Sequence, residues 1–376
     1  MRVAIDAIPL LLRSAGVKTY LFNWIVSLRR VAGDGRVVTF PSLGPLVSYS
    51  HERSVLGRLP TLGRLALLHA NNYSPVSWLD WLGPKSDVFH ASQQLWNPPR
   101  RGRLTGTLYD MTCWLVPETH SLANVSAAHR FAQRVLCRAD GLIAISESTR
   151  RDAVRILGLP PEKIEVIYPG VADAFFRTTP VSAGLAAAKY SLGRPYALFV
   201  GTIEPRKNVD RLLDAWATLS PGLRSEFDLV LAGPVGWAEP STMARLQSPS
   251  STVRYLGYVP EEDLPGLTRG ASLFVYPSLY EGFGLPVGQA MAAGAPVVTS
   301  NVSSMPEVAG EAGLLADPKS TAEIARAIET LLLSESLRTQ LSSHGLRLAQ
   351  RYRWEHCAAA SWRFFERVCG QASASR

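Results

Sequence analysis

The segment PSLYEGFGLPVGQAM occupies residues 277–291 and directly follows the apolar run ASLFVY at residues 271–276. The run predicts a buried parallel strand, and Pro286 suits the first turn of the helix that follows. Glu281 is therefore expected between the carboxyl end of a strand and the amino end of a helix, where open α/β sheets bind ligands. Such a helix start suits a phosphate, although the same loop could be a plain strand-to-helix connection.

Strand and helix patterns alternate along the whole chain. Apolar runs predict strands at 2–7, 37–40, 87–90, 104–108, 141–145, 164–167, 196–200, 228–232, 253–256, 271–276 and 296–299. Amphipathic patterns predict helices at 19–30, 149–157, 208–218, 320–333, 335–350 and 354–368. This alternation predicts parallel sheets covered on both faces, in two doubly wound, Rossmann-like α/β domains facing each other across a cleft.

Length and composition also indicate two globular domains. The chain has 376 residues, 47% apolar and 19% charged, which is too long for one ordinary core and too apolar for disorder. A linker-like composition begins at residue 177. We therefore expect domains at 1–176 and 177–352, and a C-terminal helix at 353–376 that packs back toward the first domain.

Cysteine spacing and hydropathy predict a cytoplasmic protein. The four cysteines lie far apart, with neither metal-ligand spacing nor a disulfide framework, which favours a reducing compartment. Asp6 and Pro9 interrupt the apolar start, so it is interpreted as a strand and not as a signal peptide. No apolar run reaches the roughly 18 residues of a membrane-spanning helix.

The positive charge is concentrated in the first half. Residues 1–176 carry 20 Lys+Arg and 13 Asp+Glu, a balance of +7, whereas the rest carries 19 and 18, or +1. An anionic membrane surface is one partner for this charge, and a plain solvated surface is the alternative. No compact basic motif or nucleic-acid module is visible, so nucleic acid is not expected.

The region 44–84 fits contact with a membrane. It combines Arg53, Arg58 and Arg64 with many Leu and Trp residues, a composition typical of interfacial surfaces. The alternative is an insertion whose apolar residues pack on the domain. The membrane interpretation predicts a peripheral location on the inner face of the cell membrane.

The loop after the first strand argues against a nicotinamide enzyme. A dinucleotide fingerprint needs several glycines there, and the loop at 11–18 contains only Gly16. The loop at 201–208, GTIEPRKN, instead places Arg206 and Lys207 at a helix start. A guanidinium fork and an ammonium suit an anion, unless they form a solvated helix cap.

Other strand ends of the second half complete a ligand site. Tyr258 and Val259 follow a strand and would hold a base through backbone groups. Gln289 is placed to reach a ribose hydroxyl, and Glu281 to reach sugar hydroxyls. Phosphate, base, ribose and sugar together predict a nucleotide sugar.

These motifs resemble the retaining glycosyltransferase family 4, also called group 1, whose members have the GT-B fold. In the second half the resemblance lies in VGTIEPRKN (200–208), LGYVPEEDL (256–264), SLYEGFGLPVGQAMAAG (278–294) and SSMPEVAGEAGLLADP (303–318). In the first half it lies in GVKTY (16–20), DVFHAS (87–92), YDMTCWLVPE (109–118), IAISESTRRD (143–152) and IEVIYPGV (164–171). The resemblance implies an acceptor-binding domain at 1–176 and a donor-binding domain at 177–352.

The resemblance also implies roles for individual residues. Arg206 and Lys207 would bind the diphosphate and stabilise the leaving group, and Glu281 would contact the donor sugar. The implied donor-binding set is Gly16, Tyr109, Asp110, Gly201, Thr202, Gly233, Tyr258, Val259, Gly282, Phe283, Gly284, Leu285 and Gln289. Transfer would retain the anomeric configuration and need neither a cofactor nor a divalent metal.

Two positions depart from the family pattern. Gln289 stands where the second of two glutamates is usual, and it keeps a hydrogen bond to ribose but loses the charge, at a cost of about 1 kcal/mol. Tyr109 stands where many members have a histidine, and its hydroxyl still donates a hydrogen bond.

We expect a glycosyltransferase of cell-surface polysaccharide assembly, with mannose from GDP-mannose as the first choice of donor. Rhamnose, glucose and N-acetylglucosamine donors remain alternatives, and the expected acceptor is a lipid-linked saccharide or an oligosaccharide. A non-catalytic partner protein of the same fold is a second interpretation, and a sugar-nucleotide epimerase is a third.

Overall fold

The structure is a computed structural model that describes residues 1–12, 16–33, 35–50, 53–237, 239–248 and 251–370. Parts of the predicted loop 11–18, of the region 44–84 and of the C-terminal segment lie outside the described residues. The chain forms two compact units: unit 1 is Met1–Gly170 with the segment that starts at Trp354, and unit 2 is Val171–Arg353. Unit 2 begins before residue 177 because Val171 N donates to Tyr352 O at 2.7 Å, which pairs the two ends of the unit.

Unit 1 is built on a parallel sheet with the strand order β2-β1-β3-β4-β5-β6 among the described residues. The chain places β2 on one side of β1 and then β3 to β6 on the other side, so a topological switch point lies between β1 and β3. Its strands are β1 (Val3–Asp6), β2 (Val37–Phe40), β3 (Val88–Ala91), β4 (Arg103–Leu108), β5 (Gly141–Ala144) and β6 (Ile164–Val166).

Unit 2 repeats the architecture with the strand order β12-β11-β10-β7-β8-β9. Its switch point lies between β7 and β10, which pair in parallel. The strands are β7 (Tyr196–Val200), β8 (Asp228–Ala232), β9 (Val253–Tyr255), β10 (Leu273–Tyr276), β11 (Val297–Ser300) and β12 (Gly313–Ala316).

Helices cover both sheets, as the alternation predicts. Between Met1 and Gly170, the described part of unit 1 contains α1 (Gly16–Ala32), α2 (Arg58–Tyr73), α3 (Leu79–Leu82), α4 (Thr112–Leu115), α5 (Leu122–Arg134) and α6 (Glu147–Leu157). Unit 2 contains α7 (Asp173–Phe176), α8 (Pro180–Lys189), α9 (Val209–Thr218), α10 (Pro221–Glu226), α11 (Pro240–Gln247), α12 (Leu264–Arg269), α13 (Leu285–Ala293), α14 (Met305–Ala309), α15 (Thr321–Leu333) and α16 (Glu335–Ala349). The last helix, α17 (Trp354–Gly370), belongs to unit 1.

The return of α17 to unit 1 has a clear packing basis. Its buried face meets α1, where the indole Nε1 of Trp24 donates to Ser361 Oγ at 2.9 Å and the Trp24 ring lies 6.0 Å from the ring of Phe365. Trp24 and Phe365 are fully buried. The described part of the predicted C-terminal helix therefore completes the core of unit 1.

Candidate active site

The switch point of unit 2 brings together the two loops that carry the candidate catalytic residues. Because β7 and β10 are parallel neighbours, the loop after Val200 and the loop after Tyr276 leave the same edge of the sheet. Leu279 N donates to Arg206 O at 2.8 Å, and Ser278 Oγ lies 3.0 Å from the same oxygen. The two loops therefore lie in contact, as the sequence predicts.

Glu281 and the two cations form one buried cluster. Lys207 Nζ lies 2.6 Å from Glu281 Oε1, and Arg206 Nη1 lies 2.9 Å from the same oxygen. Arg206 Nη2 also pairs with Glu204 Oε1 at 2.6 Å. Lys207 and Glu281 are only 9% and 8% exposed, so a solvated helix cap does not describe this lysine.

The cluster fixes the charge states of its members. Burial raises the pKa of the Glu281 carboxyl, but the charges of Arg206 and Lys207 outweigh burial and bring the pKa down to about 2. Burial and the Arg206 charge lower the pKa of Lys207, whereas Glu281 and Glu204 oppose that change. Glu281 therefore stays ionised at neutral pH and is an acceptor of hydrogen bonds, not a proton donor.

Hydroxyl and amide groups hold the cluster in place. Ser278 Oγ donates to Glu281 Oε1 at 2.7 Å, and Tyr276 OH lies 3.1 Å from the same oxygen. Asn208 joins two loops, because its Nδ2 donates to Pro277 O at 2.9 Å and to Pro318 O at 2.7 Å. Such buried, satisfied networks position charged groups without reorganisation.

The local chain path differs from the predicted helix start. Arg206 and Lys207 lie in the 3-10 turn Pro205–Lys207, and Asn208 follows with a φ of 62° before α9 begins at Val209. The turn directs both cations toward the loop after β10 instead of along the helix axis. An asparagine suits this left-handed position.

Two positions in these loops have positive φ and a close neighbour, which favours glycine. Gly284 has a φ of 92°, and a Cβ there would lie 2.1 Å from Met305 Cε. Gly233, at the end of β8, has a φ of 147°, and a Cβ would lie 2.0 Å from Gly201 O. The loops after β7 and β8 therefore touch, with Gly201 and Thr202 both half-buried at that contact.

The glycine loop is more buried than the sequence indicates. Gly282 and Phe283 are buried, and the Phe283 ring packs edge-on against Tyr352 with ring centroids 5.2 Å apart. Ser304 Oγ lies 3.0 Å from the carbonyl oxygens of both Glu281 and Phe283 and can donate to either one. Leu285 and Gln289, on α13, are half-buried.

The residues predicted to bind the base follow β9, which lies on the opposite side of β7 from β10. Val259 is buried, whereas Tyr258 is 49% exposed. The loop that carries Trp237, which is 52% exposed, is tied to the cation loop because Gly236 N donates to Ile203 O at 3.0 Å. Aromatic faces of this kind can stack on a nucleobase.

The residues predicted in the first half occupy unit 1. Gly16 begins α1 and is exposed. Tyr109 is buried edge-on against Tyr20, and burial and the nearby Asp6 carboxylate raise its pKa, so its hydroxyl stays neutral. Asp110 Oδ1 accepts from Thr112 N at 3.0 Å and thereby holds the start of α4.

Sequence reasoning missed the supporting members of the cluster. Glu204, Tyr276 and Ser278 each contact a cation or Glu281. A signal existed for Glu204, since a carboxylate two residues before Arg206 in EPRK is suited to an ion pair. Tyr276 and Ser278 carried no comparable signal, because their contacts depend on the folding of distant loops together.

Two parallel-sheet units with this topology define a GT-B protein. The chain superimposes on the crystal structure of HepE from Anabaena in complex with UDP and glucose with a TM-score of 0.70, covering 97% of this chain and 99% of that one. At 20% identity, this likeness shows the shared fold. The GT-B fold expected from the sequence is confirmed.

The chain belongs to the group 1 glycosyltransferases, the family also numbered 4. A family model described as glycosyl transferases group 1 matches residues 187–347, and a model of glycosyltransferase family 4 matches residues 14–175. The chain is 35% identical over 274 residues to O-antigen chain mannosyltransferase B of Escherichia coli, with 72% of each chain covered. It is also 30% identical over 237 residues to the serotype-specific mannosyltransferase WbdA of Escherichia coli, covering 61% of this chain and 29% of that longer protein.

Proposed function

We propose that this glycosyltransferase moves a mannosyl residue from GDP-mannose to a hydroxyl of a lipid-linked or oligosaccharide acceptor in cell-surface polysaccharide assembly. The observation that carries the donor site is the buried Arg206, Lys207 and Glu281 cluster at the switch point of unit 2. Mannose is favoured over glucose, N-acetylglucosamine and rhamnose because the two Escherichia coli relatives are mannosyltransferases.

The cluster suits departure of a nucleoside diphosphate. Glu204 and Glu281 balance the charges of Arg206 and Lys207, so the cations are held in position before an anion binds. Negative charge that develops on the departing diphosphate would be stabilised by these cations, without a protein nucleophile. The same role makes a divalent metal unnecessary, and loss of transfer in excess EDTA would contradict this part of the proposal.

In the proposed reaction the acceptor hydroxyl attacks the anomeric carbon on the face from which the diphosphate leaves. The new glycosidic bond forms, the bond to the phosphate oxygen breaks, and that oxygen takes the acceptor proton. The anomeric configuration is then retained. A product of inverted configuration, seen by NMR, would overturn this mechanism.

The test compares donors and a matched pair of variants. Binding of GDP-mannose, UDP-glucose, UDP-N-acetylglucosamine and dTDP-rhamnose is compared by saturation-transfer NMR. GDP-mannose should give the strongest binding signal. Lys207→Ala should reduce product formation by at least about a hundredfold, the usual scale for one electrostatic donor. Lys319→Ala, which removes an exposed lysine of the same unit, should leave the rate unchanged.

Each contrary result has a distinct meaning. If only another nucleotide sugar gave a saturation-transfer signal, the sugar of that compound would replace mannose in the proposal. Full activity of Lys207→Ala would remove the cluster from the reaction. Donor binding without product in the presence of a membrane lipid extract would favour the non-catalytic interpretation.

A further inference from the structure

The helix α2 of unit 1 has apolar side chains on both faces. On its inner face Leu68 is buried in the core, and Leu65 packs against the same core. On its outer face Leu59, Leu62 and Tyr73 are 82%, 63% and 60% exposed. Large apolar side chains grouped on an exposed surface mark a site of contact with a partner, so the outer face calls for an apolar neighbour.

Most of the exposed residues of α2 form one stripe. Side chains three, four and seven positions apart lie on the same side of a helix. Leu59, Leu62, Gly63, Ala66, His69 and Tyr73 follow this spacing, and all are exposed; we call them the outer stripe. None of them is acidic.

The short helix α3 adds two further exposed apolar side chains. Trp81 and Leu82 are 68% and 65% exposed. The turn between the two helices is held firmly, since Trp78 N donates to Asn71 Oδ1 at 2.8 Å and Asn71 Nδ2 donates to Asn97 O at 2.9 Å. The exposed apolar groups therefore project from an ordered support.

The segment that carries the outer stripe is basic. Residues 53–79 contain Arg53, Arg58 and Arg64 and no Asp or Glu. The acid of α3, Asp80, accepts a hydrogen bond from Arg100 N at 2.8 Å. From α5, Arg130 Nη1 donates to Tyr73 OH at 3.0 Å, and its guanidinium lies 5.2 Å from the ring centroid of Trp96. A partner of this surface must be apolar at its centre and anionic around it.

We propose that the outer stripe and α3 dock unit 1 on an anionic lipid bilayer. Leu, Trp and Tyr side chains enter the interface between headgroups and acyl chains, and arginines contact lipid phosphates. No helix within the described part of the chain is long and apolar enough to cross a bilayer, so this contact would be peripheral. The proposal deepens the proposed function, because docking would bring a lipid-linked acceptor to the enzyme.

Vesicle flotation tests this surface. The full chain should float with vesicles of phosphatidylglycerol and phosphatidylcholine at low salt and much less with phosphatidylcholine alone. Leu59→Ser/Leu62→Ser should lower the partition coefficient at least about tenfold, because two leucines no longer enter the apolar region. Changing Arg53, Arg58 and Arg64 to Glu should also abolish flotation.

The matched control lies in unit 2. Val181 and Leu185 of α8 are 72% and 68% exposed, close to the values for Leu59 and Leu62. Val181→Ser/Leu185→Ser should float like the unaltered protein. Circular dichroism of each variant checks that the fold is kept.

Three results would overturn the docking proposal. The first is unchanged flotation of Leu59→Ser/Leu62→Ser, and the second is equal flotation with both kinds of vesicle. The third is that the unaltered protein is a dimer, that this double variant is a monomer, and that neither form binds vesicles. Saturation transfer to GDP-mannose is measured on the same samples and should persist in Leu59→Ser/Leu62→Ser. Its absence from the unaltered protein would contradict the proposed function and leave the flotation result standing.

Discussion

Glu281 and Lys207 stabilise each other inside unit 2. The sequence predicts Glu281 as a sugar ligand and Lys207 as a phosphate ligand, and those roles stay predictions. The structure adds a contact between them at 2.6 Å, where both side chains are buried. Without Glu281 the buried Lys207 would lose the carboxylate that it contacts, at a cost of several kcal/mol, whereas Glu281 without Lys207 would still pair with Arg206.

This mutual dependence separates stability from catalysis. We expect Glu281→Gln to lower the free energy of unfolding of unit 2 by about 3 kcal/mol, because it leaves the buried Lys207 without the carboxylate that it contacts. Lys207→Met should lower it by less, because Arg206 still pairs with Glu281 at 2.9 Å. The double variant should be more stable than the sum of the single effects implies, because neither charge remains. These free energies are measured by unfolding each variant in urea and monitoring the hydrogen exchange of β7 and β10.

Transfer activity should follow a different pattern from stability. All three variants are expected to lose transfer, because the double variant restores packing but not the cation or the carboxylate. Strictly additive losses of stability would show that the two side chains act independently. Near-normal transfer by Glu281→Gln would remove this carboxylate from the reaction.

At the level of elements, the sequence predicts the strands better than the helices. Each predicted strand lies on or beside an observed one, because buried parallel strands are continuous apolar runs. The edge strand β12 (Gly313–Ala316) was missed, since it is short and mostly half-exposed. The helix α2 was also missed, because apolar residues on both faces and an internal Pro60 and Gly63 hide its period.

The candidate site shows the same division. The strand-end motifs predict which loops carry Arg206, Lys207 and Glu281, because parallel strands place those loops on one edge. The sequence did not predict the pairing of Arg206 with Glu204 and Glu281, which depends on the turn at Asn208.

The glycine loop gives a prediction for a single element. Gly284→Ala should destabilise unit 2 by about 1–3 kcal/mol, because alanine disfavours positive φ and its Cβ would meet Met305. Gly184 offers a matched control: it lies inside α8, and no atom is within 4 Å of the position of a Cβ. Gly184→Ala should stabilise unit 2 by about 0.5–1 kcal/mol.

Hydrogen exchange of unit 2 peptides and donor binding distinguish these effects. Gly284→Ala should also weaken binding of GDP-mannose, because the loop that carries Glu281 shifts. Equal stability of the two variants would show that the loop tolerates a side chain.

At the scale of the whole molecule, unit 1 contains two buried titratable groups with opposite effects. Burial raises the pKa of Asp6 from 3.8 to about 6, even though Ser92 Oγ and the backbone of Ile8 and Ser92 donate to it. Burial lowers the pKa of His90 from 6.5 to about 3, where Thr105 and Thr107 hydroxyls lie 3.0 and 2.9 Å from its ring nitrogens.

The two shifts oppose each other across the same pH window. The stability contributed by protonated Asp6 is full below about pH 4 and is lost as the pH rises through about 6. The stability contributed by neutral His90 is full above about pH 6.5 and is lost as the pH falls through about 3. Between about pH 4 and 6 each changes by about 1.4 kcal/mol per pH unit, with opposite signs.

We therefore expect each single variant to uncover the slope of the other group. Relative to the unaltered protein, Asp6→Asn should gain about 2–3 kcal/mol in the unfolding free energy of unit 1 from pH 4 to 6, whereas His90→Gln should lose a similar amount. Urea unfolding, followed by hydrogen exchange of β1 and β3 corrected for intrinsic rates, measures both slopes. His356→Gln, on the exposed side of α17, controls for loss of an imidazole at the surface. Parallel pH curves for all four proteins would show that the buried groups are solvated in the folded state, because only then would their removal leave the linkage unchanged.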